Sequence, residues 1–114
     1  MARDRLLVAR VALEAGSTAG AISAAYYAML YAARAALSEQ DAYAKTHAGT
    51  WNLFRERFVL GGVFDHALAG AAERSQKLRE AADYDAVAGT PDEAAEMIAL
   101  AERFVASVGA MLGE

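Results

Sequence analysis

The stretch Ala19–Ala36, AGAISAAYYAMLYAARAA, limits the possible folds more than any other, because its only charge is Arg34, near its end. At about 100° per residue of an α-helix, it divides into distinct faces. Ile22, Tyr26, Met29, Leu30 and Ala33 form a bulky apolar stripe that continues to Leu37. Ala21, Ala24, Ala25, Ala28, Ala32, Ala35 and Ala36 form an adjoining face that is almost wholly alanine. Ser23, Tyr27, Tyr31 and Arg34 make up the remainder. Bulk on one side and a smooth methyl surface on another imply neighbours on more than one side. The stretch therefore reads as the central helix of a bundle, with its hydroxyl-and-arginine face toward a polar seam.

The length of 114 residues fits one domain, 1–114, with room for a core. Hydrophobic residues make up 56% of the chain, which excludes a disordered composition. A single proline and the lack of Val/Ile/Thr alternation predict an all-α protein. The net charge of −4 excludes a global basic field for nucleic acid and leaves a local basic cluster open. No cysteine is present, so disulfides and thiolate metal sites are excluded, which fits a cytoplasmic protein. The N-terminal MARDRLLVAR does not read as a signal peptide. The uncharged run Gly16–Ala33 touches the lower limit of about 17 residues for a membrane span. Its Ala, Gly, Ser and Tyr content makes insertion weak, so no membrane is expected.

Helix 1 is expected at Ala2–Ala15, with Leu6, Val8, Ala9, Val11, Ala12 and Leu13 on its apolar side. Gly16 ends it, and Ser17 or Thr18 is placed to cap the central helix. The short break predicts antiparallel neighbours. The central helix fades in the polar loop Ser38–Ala44. Helix 3 is expected at about Thr50–Leu60, where Trp51, Phe54 and Phe58 recur at i, i+3 and i+7. Gly61-Gly62 stops it, and Val63-Phe64 is expected to tuck against the bundle. Asp65 caps helix 4, His66–Asp83, whose modest apolar stripe places it at the bundle's edge. After a loop at Asp85–Gly89, the sequence Thr90-Pro91-Asp92-Glu93 carries a capping box with proline at the first helical position. Ala94, Met97, Ile98, Ala101, Phe104, Val105, Val108, Met111 and Leu112 then hold helical spacing to the stop at Gly113. The fold class is an up-and-down bundle of four to five helices without a sheet.

Chemistry-bearing motifs are few. The two histidines, His47 and His66, have no partner at zinc-ligand spacing, so no metal is expected. No phosphate loop, nucleophile elbow or dinucleotide fingerprint occurs, and no cofactor is expected. Two short constellations remain. Lys45-x-His47 lies at a loop-to-helix junction, where free N–H groups, the helix dipole and Lys45 suit a phosphate. The alternative is that His47 only caps or packs there. Arg79 and Asp83 stand at i, i+4 before Tyr84 and can pair on one face. The alternative is an ordinary surface ion pair, with Tyr84 as an apolar plug. Tyr27, Tyr31 and Arg34 face the same seam, Tyr26 reads as core, and His66 reads as a surface residue.

The order of these features resembles the HEPN family of prokaryotic helical domains. The resemblance rests on AYYAMLYAARAAL, then KTHAGT, an aromatic helix ending in Gly-Gly, REAADY and the capped terminal helix with AERFV. It covers nearly the whole chain and belongs to the branch with a Tyr-Tyr-Ala helix and a Lys-Thr-His turn. It implies a helical bundle, a homodimer, and pairing with a small nucleotidyltransferase in a toxin–antitoxin-type system. Several members are metal-independent ribonucleases with Arg, four to six residues, then His. This chain lacks that signature: neither histidine has an arginine at the required distance upstream, and Asp83 or Tyr84 stands where the histidine after Arg79 is expected.

The leading expectation is therefore a HEPN-like module that pairs with itself and a nucleotidyltransferase and binds nucleotide or RNA. Its ligand-binding residues are Lys45, His47, Arg79, Asp83, Tyr84, Tyr27 and Arg34. One alternative is an RNA endonuclease with His47 and Arg79 as catalytic residues, which requires the fold to bring them together. The other is a purely structural bundle.

Overall fold

The computed structural model describes residues 1–84 and 89–114. Most of the expected loop Asp85–Gly89 lies outside the described residues. The helices are α1 (Ala2–Glu14), α2 (Thr18–Ser38), α3 (His47–Phe54), α4 (His66–Tyr84) and α5 (Pro91–Met111), and no strand occurs among the described residues. The all-α expectation holds. A π-helical stretch, Arg55–Val59, continues α3.

α2 touches each of the other four helices. Its stripe residues Ile22, Tyr26, Met29 and Leu30 are all fully buried. The alanine face is buried as well, with Ala21, Ala25, Ala28 and Ala36 at 0% exposure, except for Ala35, which is exposed. α1 folds back along α2 and sets Ala9, also fully buried, into the interior. Close approach by small side chains is what lets α2 keep so many neighbours at normal packing density.

The turn between α1 and α2 depends on Gly16, whose φ of +84° lies in the left-handed region that glycine adopts without strain. There the Gly16 and Ser17 amides donate back to the Leu13 and Ala12 carbonyls, closing the helix end. Ser17 occupies the N-cap position of α2 but makes no side-chain cap bond, contrary to expectation. The other two caps form. The Leu68 amide donates to Asp65 Oδ2 at 2.8 Å. Thr90 and Glu93 exchange both bonds of the capping box ahead of Pro91.

α1 departs from the sequence reading. Leu6 and Ala9 face inward, whereas Leu7, Val8 and Val11 are exposed. Val8 and Val11 are therefore not core residues: the contact side of α1 is narrower than its apolar content suggested. The only cross-helix ion pair from this helix among the described residues links Arg10 to Glu102 of α5 at 2.9 Å.

The aromatic core forms where α3 meets α5. Phe104 is fully buried, with its ring centroid 5.8 Å from Trp51, 5.5 Å from Phe54 and 5.1 Å from Phe64. Phe64 tucks in as expected, while Val63 stays exposed. In the π-helical stretch the Leu60 amide reaches the Arg55 carbonyl at 2.9 Å, five residues back. The widened turn leaves Phe58 buried beside Phe54 and Arg55 facing Glu73 of α4 at 3.1 Å.

Phe104→Ala is expected to lower unfolding free energy by about 3–5 kcal/mol. Val11→Ala is expected to change it by no more than about 0.5 kcal/mol. Urea unfolding of the two variants checks the inward and outward assignments together.

Candidate functional site

The site begins on the hydroxyl face of α2. Tyr27, Tyr31 and Arg34 follow one another at i, i+4 and i+7, and the Tyr27 and Tyr31 rings lie 5.8 Å apart. Arg5 of α1 sits over the Tyr31 ring at 5.8 Å. Tyr26 turns inward and is fully buried, with its ring edge-on to Tyr27 at 5.5 Å.

α3 supplies the next wall. It starts at His47, three residues before the expected Thr50, because Thr46 is the residue that caps it. Thr46 Oγ1 accepts from the Gly49 amide at 2.9 Å. A Cβ at position 49 would stand 2.8 Å from that oxygen, so glycine permits the cap. Starting the helix at His47 puts Trp51 one turn further along the same face. The Trp51 indole Nε1–H donates to Tyr26 Oη at 3.0 Å, and Tyr26 Oη lies 3.4 Å from His47 Nδ1. The His47 ring is 5.7 Å from the Tyr26 ring and 5.8 Å from the Tyr27 ring.

α4 closes the seam with Arg79. Its guanidinium lies 5.3 Å from the Tyr26 ring centroid and 5.7 Å from that of Tyr27, within cation–π range. Asp83 Oδ2 holds one Nη at 2.9 Å, and Glu80 lies 3.9 Å from the other. Arg79 and His47 thus stand against the same two tyrosine rings. The expected i, i+4 pair forms, but it is not an ordinary surface pair, because the Arg79 side chain is only 14% exposed.

The electrostatics follow from this crowding. Burial, then the charges of Arg79 and Arg34, push the His47 pKa below its ordinary value, with Glu80 opposing. The imidazole is therefore neutral near pH 7. Burial raises the Tyr26 phenol, so it keeps its proton. Burial works against the charge of Arg79, but the Asp83 hydrogen bond and the nearby Tyr27 hydroxyl outweigh it and raise its pKa. The Nε atoms of Arg34 and Arg79 are both buried, with no hydrogen-bond partner among the described residues. An unpartnered buried donor costs about 1–3 kcal/mol. A ligand oxygen that reached these groups would recover part of that cost.

The remaining candidates separate. Lys45 is exposed, two residues before His47 in the sequence, and makes no hydrogen bond or ion pair with this cluster among the described residues. Asp83 acts on Arg79. Tyr84 is 92% exposed, so it is not an apolar plug and makes no part of this cluster. His66 is exposed, as expected. Beyond Tyr31 and Arg34 a groove of about 650 Å³ opens between α1, α2 and α5, with Arg3, Val105 and Leu112 among its walls. No group of three histidine, aspartate or glutamate side chains among the described residues could hold a metal ion. The sequence reading placed Tyr26 and Trp51 in the core and missed their polar ends. The signal was the spacing of His47 and Trp51 at i, i+4, visible only once Thr46 is taken as the cap.

The profile of the HEPN domain matches residues 1–111. The chain belongs to the HEPN family. Among its relatives, "Putative toxin MJ0605" of Methanocaldococcus jannaschii is 32% identical over the whole chain, which covers 85% of that protein. "Putative toxin MJ0142" of the same organism is 31% identical over 78 residues, 68% of this chain and 53% of that protein. In this HEPN chain neither Asp83 nor Tyr84, the residues that stand in place of the histidine after Arg79, is a histidine, and Asp83 bonds the arginine itself.

The depressed His47 pKa has a definite sign. Below the ordinary histidine value of 6.5 the unfolded chain binds a proton that the native ring resists. The stability linked to His47 is therefore complete above that pH and is lost as pH falls toward the native pKa. NMR titration of the His47 ring is expected to give a pKa below 6.5, and Arg79→Gln is expected to raise it by removing a positive neighbour. An unchanged or lower value in Arg79→Gln would contradict the placement of the two groups.

Proposed function

We propose that this chain is the HEPN module of a toxin–antitoxin-type pair, and that its seam binds the phosphate of a nucleotide or of RNA. One observation carries the reading. Arg34 and Arg79, whose charges both act on a neutral histidine, carry buried Nε–H groups that are unpartnered among the described residues. Guanidinium groups suit phosphate oxygens because their donors are fixed in a plane. Tyr27 and Tyr31 offer ring faces on which a base can stack. Lys45, two residues before His47, would add charge, and Asp83 bonds Arg79. Tyr84 has the weakest claim of the residues first considered. The toxin names of the two relatives support the system class.

The same reading takes the 114 residues as one unit in the cytoplasm that forms a homodimer and pairs with a small nucleotidyltransferase. The alanine face of α2 is buried within the chain apart from Ala35. The exposed Leu7, Val8 and Val11 of α1 are the apolar surface that a second copy would cover.

A ribonuclease is the second reading, favoured by the contact of His47 and Arg79 with the same tyrosine rings. There Arg79 would hold the scissile phosphate and His47 would move the proton of the ribose 2′-oxygen. Titration with a short single-stranded RNA and with adenosine monophosphate, in the presence of EDTA, tests both readings. Saturable binding weakened at least about tenfold, or 1.4 kcal/mol, in Arg34→Ala and Arg79→Ala without RNA cleavage is the expected result. Cleavage abolished by His47→Ala and Arg79→Ala would establish the second reading. Binding unaffected by either arginine would overturn the site.

A further inference from the structure

The position of one proton in the seam follows from the hydrogen-bond chemistry of three side chains. An indole Nε1–H can only donate, so at 3.0 Å Tyr26 Oη is the acceptor for Trp51. Tyr26 is fully buried and Trp51 is 2% exposed, so water does not compete for this bond. The phenol proton still needs an acceptor. Among the described residues, the atom facing it is His47 Nδ1 at 3.4 Å. A ring nitrogen that accepts is bare, and a neutral imidazole then carries its proton on Nε2.

The opposite tautomer fails on the same accounting. An Nδ1–H aimed at Tyr26 Oη would give the hydroxyl two donors and strand its own proton in a pocket walled by rings. The imidazolium would do the same, and it would also face the charges of Arg79 and Arg34 with only Glu80 opposing. At 3.4 Å the O–H···N contact is long, so it sets the proton position by exclusion rather than by strength. Nε2 lies on the far side of the ring from Tyr26 Oη, at the edge of a residue that is half-buried.

We propose that Trp51 and Tyr26 are positioning residues that lock His47 as an Nε2–H donor, so that the seam meets a phosphate oxygen with a neutral donor beside two guanidinium groups. The ligand half of this inference rests on the phosphate-binding reading above, and the tautomer half does not. It separates the two readings of the site. An Nε2–H group of a neutral ring can hold an oxyanion by a hydrogen bond, but it cannot take a proton from a ribose hydroxyl.

The test uses the full chain in two arms. Long-range ¹H–¹⁵N spectra of the His47 ring at neutral pH are expected to show Nε2 protonated and Nδ1 bare. A protonated Nδ1 overturns the relay whatever the ligand. The second arm measures calorimetric affinity for inorganic pyrophosphate. His47→Gln places a carboxamide nitrogen near Nε2 and is expected to bind within about threefold of the parent, whereas His47→Asn, which places it near Nδ1, is expected to lose about tenfold or more. Tyr26→Phe is expected to weaken the parent several-fold but to cost much less in a His47→Gln background, where no ring needs orienting. Equal costs in both backgrounds would reduce Tyr26 to a packing role and overturn its assignment. Should Tyr26→Phe fail to fold, the parent spectrum and the two His47 variants still decide. Absence of pyrophosphate binding by the parent removes the phosphate reading while the spectra continue to judge the relay.

Discussion

A phenol hydroxyl with no access to solvent must find both its partners inside the protein, and Tyr26 finds them on one short helix. Trp51 donates to it and His47 faces its proton. Those two contacts tie α2, which touches all four other helices, to α3 by polar groups in addition to the apolar packing around Trp51 and Phe54. Apolar contacts tolerate small rotations of a helix, whereas a hydroxyl with one donor and one acceptor does not. The register of α3 against α2, and hence the position of His47, depends on this pairing.

The same hydroxyl separates two environments. On one side lie Phe54, Phe64 and Phe104, a packed core with no polar demand. On the other lie Tyr27, Arg79 and Arg34, where charge accumulates in a partly dry seam. Arginine is suited to that position because its planar cation can lie over a ring while its edge remains free to bond. Asp83 and Glu80 offset part of the charge from the same helix that carries Arg79. The histidine between them therefore stays neutral, held there by its surroundings rather than by a carboxylate partner.

Much of the framework was legible in the amino-acid order. The single-charge helix, its alanine face, the Asp65 cap and the Thr90–Glu93 box all report on local physics that acts over a few residues. Three features were not. The start of α3 was hidden because Ala48-Gly49 reads as a break, while Gly49 in fact makes room for the Thr46 hydroxyl. The outward turn of Val8 and Val11 depends on how α1 rolls against α2, which composition does not fix. The π-helical stretch inserts one residue per turn and re-aims Arg55 toward Glu73, a tertiary outcome with no sequence mark. At the site, His47 and Arg79 were recognisable as chemistry. Their meeting was not, because it is arranged by two rings on a third helix.

On the proposed reading, Arg34, Arg79 and His47 donate to one anion. ¹H–¹⁵N spectra of the arginine Nε–H and histidine Nε2–H groups, followed as inorganic phosphate is added at constant ionic strength, measure this directly. The signals of all three residues are expected to move together and saturate at one affinity, while those of Arg10 and Arg55, both held in ion pairs elsewhere, stay in place. Shifts spread evenly over the arginines, or a saturating response that leaves out Arg34 and Arg79, would contradict that reading.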